Sequence, residues 1–85
     1  MDTAEQIARR LTERLCPTAL EVIDESAQHA GHAGASPSGR GSHIRVRVAS
    51  PMFEGISRVQ RHRLVYDALQ DFIDQGLHAL AIELI

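Results

Sequence analysis

The chain has 85 residues, which is enough for one hydrophobic core and not for two, so the sequence predicts a single domain over residues 1–85. Hydrophobic residues make up 44% and charged residues 24%, which is typical of a globular protein and excludes a disordered or fibrous one. The net charge of -2 argues against a protein whose whole surface binds nucleic acid, so any basic site must be local.

Cysteine usage and the N-terminus indicate where the protein works. The single cysteine, Cys16, cannot form an internal disulfide, and we expect it to be a small core-filling residue, with a reactive thiol as the alternative. The first residues lack the basic and apolar blocks of a signal peptide, and no apolar run is long enough to cross a bilayer. We therefore expect a soluble cytoplasmic protein, monomeric in the free state, that does not contact a membrane.

The first predicted elements are a helix and a strand. Thr3 and Gln6 have the spacing of a capping box, and the apolar residues that follow recur at helical spacing. This pattern predicts a helix over Thr3–Leu15. Pro17 ends the helix, and the apolar segment Ala19–Asp24 is typical of a strand.

A change of composition separates this strand from the next one. Residues 26–42 are rich in Gly, Ala, Ser and His, which predicts a flexible loop. A loop of this length in so small a domain is usually either functional or disordered. The segment His43–Val48 then alternates polar and β-branched residues, which predicts a strand with one apolar face and one face in water.

A second helix is predicted after a turn at Ser50–Gly55. Ser57 and Gln60 again have the spacing of a capping box, and the helix is predicted to run to about Asp74. Seven residues lie on one side of it and should pack on the sheet: Val59, His62, Val65, Tyr66, Leu69, Phe72 and Ile73. In that position His62 should be buried and held by hydrogen bonds.

The chain ends with a third predicted strand, Leu77–Ile82, whose alternation places His78 on the same side as Leu80 and Ile82. The order helix, strand, strand, helix, strand favours parallel pairing of the second and third strands, because a helix connects them. The predicted fold class is therefore α+β, with a mixed three-stranded sheet and the helices packed on one face.

Three stretches of the sequence carry a family resemblance that spans nearly the whole chain. They are Leu20–Ser26 before the loop, the segment FEGISRVQRHRLVY at Phe53–Tyr66, and His78–Leu80 in the last strand. In order and spacing these stretches resemble the BolA-like family, whose fold is similar to type II KH domains. The resemblance implies the order αββαβ and allows an extra short helical turn before the second helix.

The resemblance implies a binding module that works with a monothiol glutaredoxin in iron–sulfur cluster trafficking or iron sensing. Such family members share a bridging [2Fe–2S] cluster with the glutaredoxin, which supplies its cysteine and a bound glutathione. The BolA-like side supplies the histidine of the C-terminal motif, which is His78 here. The second ligand comes from the long loop, where the matching position is His29 and His32 is a competitor. No cofactor is expected in the isolated chain.

The chemistry of imidazole fits this expectation. Imidazole is a suitable ligand for iron, and histidines in place of thiolates raise the reduction potential of a cluster and remove negative charge from it. A free histidine titrates near pH ~6.5, so protonation would compete with the metal at mildly acidic pH. From spacing alone, however, His78 would be a histidine of the core or of a strand edge, and His29 and His32 would be solvated side chains.

An alternative function is that of a DNA-binding transcriptional regulator, which has also been described for some family members. A candidate basic patch for phosphate groups or for an acidic partner consists of five arginines: Arg58, Arg61 and Arg63, with Arg45 and Arg47 on the preceding strand. The competing interpretation is a solvated face balanced by the 11 acidic residues. The sequence Gly55–Arg58 also lacks the two glycines of the KH phosphate clamp.

The sequence does not predict an enzyme. The nearest catalytic set, Asp24, Ser26 and His29, lies at a strand end that leads into the loop, where nothing holds a nucleophile against a base.

Overall fold

A computed structural model of the protein describes residues 2–26 and 43–85. The helices and strands follow in the order α1 (Thr3–Leu15), β1 (Ala19–Asp24), β2 (His43–Ala49), α2 (Arg58–Ala68), α3 (Gln70–Asp74) and β3 (Ala79–Leu84). A short 3₁₀ turn, Pro51–Phe53, lies between β2 and α2. The predicted α+β fold, including the extra helical turn before the second helix, is confirmed.

The sheet has the strand order β1-β2-β3, with β1 antiparallel and β3 parallel to β2. Val46, at the middle of β2, lies opposite Val22 of β1 and Ile82 of β3. The mixed three-stranded sheet is therefore as predicted, and the chain between β2 and β3 makes the crossover that parallel pairing requires.

The core lies between one face of this sheet and the helices. Alternate residues of β2, namely Ile44, Val46 and Val48, are buried to 2% exposure or less. They pack in one cluster with residues of the helices and the segments that follow β2 and α3: Ile7, Leu11, Leu15, Phe53, Val65, Ala68, Leu69 and Leu77. The opposite face of the sheet carries the intervening polar residues of β2, as the alternation in the sequence predicts.

The two ends of α1 differ from the sequence prediction. The N-cap is Asp2, whose carboxylate accepts a hydrogen bond from the backbone N–H of Glu5 at 2.8 Å, so the capping box assigned to Thr3 and Gln6 is wrong. Cys16 is exposed and not a core residue. It forms the C-cap in the left-handed conformation at φ 46, because that geometry lets its N–H bond the carbonyl of Thr12 while the chain leaves the helix.

The second predicted helix begins as expected but is interrupted. The capping box of Ser57 and Gln60 is present in both directions. At Leu69, however, the backbone N–H is shared between the carbonyls of Val65 and Tyr66, and α3 begins one residue later. Leu69, at the interruption, is fully buried in the core. The prediction that the helical segment ends at Asp74 is therefore correct, but the prediction of one continuous helix is wrong.

Only part of the predicted apolar side of this helix packs on the sheet. Val65 and Leu69 are fully buried, whereas Val59 is 68% and Tyr66 is 40% exposed. His62 is half-buried, and its ring makes no hydrogen bond to any residue that the structure describes. The prediction of a buried, hydrogen-bonded His62 is therefore wrong, because α2 contacts the core through a narrower stripe than the spacing indicated.

The third strand begins two residues later than predicted and extends to Leu84. Leu77 is buried in the turn before it, where its N–H donates to the carbonyl of Phe72, and Gly76 supplies the positive φ of 125 that this turn requires. His78 consequently lies just outside β3 and is exposed. None of the described helices is long and apolar enough to cross a membrane.

One ion pair joins α1 and α3 at the surface. The two terminal guanidinium nitrogens of Arg10 donate to the carboxylate of Asp71, at 2.6 and 2.9 Å, and Nη1 also donates to the carbonyl of Ala68. The guanidinium lies over the ring of Phe72, 5.1 Å from its centroid. The hydrogen bond from Arg10 holds the pKa of the Asp71 carboxyl below its usual range.

Replacing this carboxyl should give a stability loss that depends on pH. A carboxyl whose pKa is lower in the folded chain stabilises it above the unfolded pKa, and that contribution disappears as the pH falls through the folded pKa. Asp71→Asn should therefore lower the Tm at neutral pH, and its difference from the wild type should shrink below about pH 4. Asp67→Asn, which removes an exposed carboxylate from α2, is the control. A difference for Asp71→Asn that stays constant into acid would contradict the assignment.

Candidate functional site

Two histidines meet where the parallel strands β2 and β3 begin. His43 is the first residue of β2 and pairs with Ala79, the first residue of β3. His78 directly precedes Ala79, so the strand register places both histidines at the same end of the sheet. Their ring centroids are 5.5 Å apart with an interplanar angle of 58°. The structure thus forms a histidine pair, His43 and His78, with His78 exposed and His43 half-buried.

The backbone of His43 is fixed by the end of β1. Its N–H donates to the hydroxyl of Ser26 at 3.1 Å, and its carbonyl accepts from the N–H of Glu25 at 2.8 Å. Ser26 is fully buried, and its own N–H donates to the carboxylate of Asp24 at 2.9 Å. These bonds continue the pairing of the two strands past Asp24, the end of β1, and so fix the backbone of His43 at the start of β2.

Ion pairs stiffen the uncovered face of the sheet beside the pair. Arg45 Nε lies 3.0 Å from the carboxylate of Glu25, and Arg45 Nη1 lies 3.2 Å from that of Glu83. The hydrogen bond to Glu25, and after it the one to Glu83, raises the pKa of Arg45. Arg47 bonds Glu21 at 3.1 Å. Arg45 and Arg47 therefore form ion pairs with carboxylates on or next to the neighbouring strands.

The five arginines of the predicted basic patch do not form one surface. Arg45 and Arg47 lie on the face of the sheet that the helices leave uncovered. On α2, Arg58 and Arg61 line a groove beside the end of β3, where Arg61 Nε donates to the carbonyl of Ile56 at 3.0 Å. Arg58 and Arg63 line a second groove on α2. A role of Arg58, Arg61 and Arg63 in nucleic-acid or partner binding stays a prediction.

The predicted loop ligands, His29 and His32, lie outside the described residues, so the prediction that one of them binds metal is untested. His78 has instead a neighbour that sequence reasoning treated only as the start of a strand, namely His43. The signal was present in the predicted topology, because parallel strands joined by a crossover begin at the same edge of a sheet. Within residues 2–26 and 43–85, no group of three or more His, Cys, Asp or Glu side chains could hold a metal ion. The pair therefore needs further ligands to complete a metal site.

The fold is a small α+β domain that brings two histidines together where the parallel strands begin. The family model described as "BolA-like protein" matches residues 11–85. The chain belongs to the BolA-like family.

Relatives and solved structures agree with this assignment. An uncharacterized protein in the cobS 5' region of Sinorhizobium is 48% identical over 98% of this chain and 89% of its own length. Human BolA-like protein 1 is 46% identical over 91% of the chain, which spans only 53% of that protein. The solved structure of the BolA domain of SufE1 from Arabidopsis thaliana has a TM-score of 0.82 and 44% identity, covering 95% of this chain and 87% of the other. BolA1 from the same plant has a TM-score of 0.84 and 37% identity, covering 99% and 90%.

Two relatives differ from this chain in total length or are described with a cellular compartment. The chain matches 22% of SufE-like protein 1 from Arabidopsis thaliana, at 48% identity over 91% of this chain, so a domain of this kind also occurs inside a longer protein. Another plant relative is described as chloroplastic. The expected cytoplasmic location of this chain therefore stays a prediction.

The hydrogen bond between the His43 N–H and the Ser26 hydroxyl leads to a prediction about stability. Ser26→Ala removes a buried hydroxyl and leaves the His43 N–H without its acceptor, which should cost about 1–3 kcal/mol of unfolding free energy. Thr18→Ala is the control, since this exposed hydroxyl makes a longer bond of 3.3 Å to the carbonyl of Ala49 and its loss should cost less than about 0.5 kcal/mol. Urea unfolding measures both. Equal costs for the two variants would show that Ser26 does not clamp the strand ends.

Proposed function

We propose that the chain is an accessory protein in iron–sulfur cluster trafficking or iron sensing, and that it binds a monothiol glutaredoxin through a shared [2Fe–2S] cluster. The observation that carries the proposal is the contact between the rings of His43 and His78. Membership of the BolA-like family supports it, since the resemblance that gives His78 a ligand role lies in the matched region.

The donor set fits half of such a cluster. Two imidazoles can serve one iron, as they do in clusters where two histidines replace two cysteines. The remaining ligands are thiolates, which the family resemblance assigns to the cysteine of the glutaredoxin and to its bound glutathione. Because the described residues hold no larger ligand group, this division of ligands between two proteins explains why the chain would need a partner to hold the cluster.

Two sources compete for the second histidine ligand. His43 already contacts His78. His29, the ligand implied by the family, follows the clamped Ser26 by three residues, and an extended chain of that length spans at most about 10 Å. His32 lies six residues after Ser26 and has about twice that reach. In either arrangement His78 is the common ligand, and the pairing of β2 with β3 fixes its position.

The proposal predicts a visible spectrum that belongs to the mixed complex. The metal-free chain, mixed with a monothiol glutaredoxin, iron, sulfide and glutathione, should give absorption and circular dichroism bands distinct from those of the glutaredoxin homodimer. His78→Ala should abolish the difference, because it removes the common ligand. Whichever of His43→Ala, His29→Ala and His32→Ala has the same effect identifies the second ligand.

Arg14→Ala is the control, since Arg14 is an exposed residue in the last turn of α1 and its replacement should leave the spectrum unchanged. If the wild-type chain does not alter the spectrum of the homodimer, or if His78→Ala behaves like the wild type, the proposed function is wrong.

No observation of comparable weight favours the alternative function in DNA binding. Arg58, Arg61 and Arg63 do not line a single groove, and Arg61 is engaged with the backbone of Ile56. The alternative would require duplex binding that falls steeply with salt and disappears when all three arginines are replaced by alanine. That the chain is not an enzyme, and that it is monomeric without its partner, also stay predictions.

A further inference from the structure

A groove on α2 lies outside the cluster site proposed above and includes two arginines of the predicted basic patch. Its volume is about 540 Å³, and it is lined by Arg58, Val59, His62, Arg63, Tyr66 and Asp67. Four large hydrophobic residues are exposed in the described part of the chain, and two of them, Val59 at 68% and Tyr66 at 40%, lie in this groove. Exposed apolar residues that cluster in this way mark surfaces that bind a partner more often than isolated ones do.

The charges around the groove are unbalanced. Neither Arg58 nor Arg63 forms an ion pair with any described residue, whereas Arg10, Arg45 and Arg47 all bond carboxylates. The groove contains one acidic residue, Asp67, against these two arginines. An occupant with negative charge therefore gains charge complementarity here without displacing an internal partner.

We propose that this groove docks an acidic segment of a partner protein, one that presents an apolar side chain between carboxylates. The apolar side chain would cover Val59 and Tyr66, while the carboxylates would pair with Arg58 and Arg63. Tyrosine and arginine are the residue types that most often carry binding energy at protein interfaces. A nucleic acid fits less well, because its charged backbone offers no apolar group to cover the exposed aliphatic surface of Val59.

One side of the groove reaches the first half of β3. The hydroxyl of Tyr66 lies 3.5 Å from the carbonyl oxygen of Leu80, which is two residues after His78. A protein that approaches the histidine pair can therefore reach the groove with a neighbouring segment. The inference goes beyond the proposed function, because docking in the groove needs no metal.

The test uses the metal-free full chain, labelled with ¹⁵N, and a peptide of eight residues with leucine and tryptophan at its centre and glutamate elsewhere. We expect amide shifts confined to α2 and the start of β3 during a titration to about 1 mM, since weak encounters have dissociation constants in that range. Arg63→Glu and Val59→Glu should each weaken binding by about tenfold or more. Arg14→Glu, which makes the same charge change on α1, is the matched control and should weaken it by less than about twofold.

Four results would overturn the proposal. These are the absence of shifts with the wild-type chain, equal weakening by Arg14→Glu and Arg63→Glu, equal binding of a peptide with alanines at its centre, and tighter Arg63-dependent binding of a DNA duplex. The thermal unfolding curve of each variant separates loss of binding from loss of fold. Failure here leaves the cluster-dependent spectrum unaffected, so the two proposals fail independently.

Discussion

The pairing of β2 with its two neighbours is the constraint on which the rest of the molecule depends. Ile44, Val46 and Val48 form a fully apolar face on β2, and a shift of the register by one residue would turn that face into water. The same register sets the polar residues of β2 on the opposite face, where the arginines meet carboxylates from both neighbouring strands. Core burial and surface ion pairs thus favour one alignment, and that alignment brings His43 beside the residue that follows His78.

The placement of the histidine pair follows from this alignment. His43 cannot leave its place without breaking the bonds that join it to Glu25 and Ser26, and one of those groups is fully buried. His78 is exposed, and the turn before it is anchored by the buried Leu77. The domain therefore presents two imidazoles side by side, one at the first residue of β2 and one directly before β3. Such preorganisation reduces the ordering cost when a partner binds.

Periodicity and capping signals predicted most of the fold. The bounds of α1 and β1, the capping box at Ser57, and the parallel crossover all came from local patterns. The failures have physical causes that local patterns do not contain. The helix is interrupted at Leu69, whose side chain is fully buried in the core, and Cys16 is exposed where it ends α1 in the left-handed conformation. The contact between His43 and His78 joins residues 35 positions apart, so it required the sheet topology, whereas the family resemblance pointed to His78, His29 and His32 but not to His43.

The measurement that tests the central claim most directly is nuclear Overhauser spectroscopy of the imidazole protons in the metal-free chain. If the β2–β3 register holds the histidine pair together, cross-peaks should connect the ring protons of His43 and His78, alongside backbone cross-peaks between the paired residues of the two strands. Backbone cross-peaks that match the register without any ring-to-ring contact would contradict the account, because the sheet would then form without presenting the two imidazoles together.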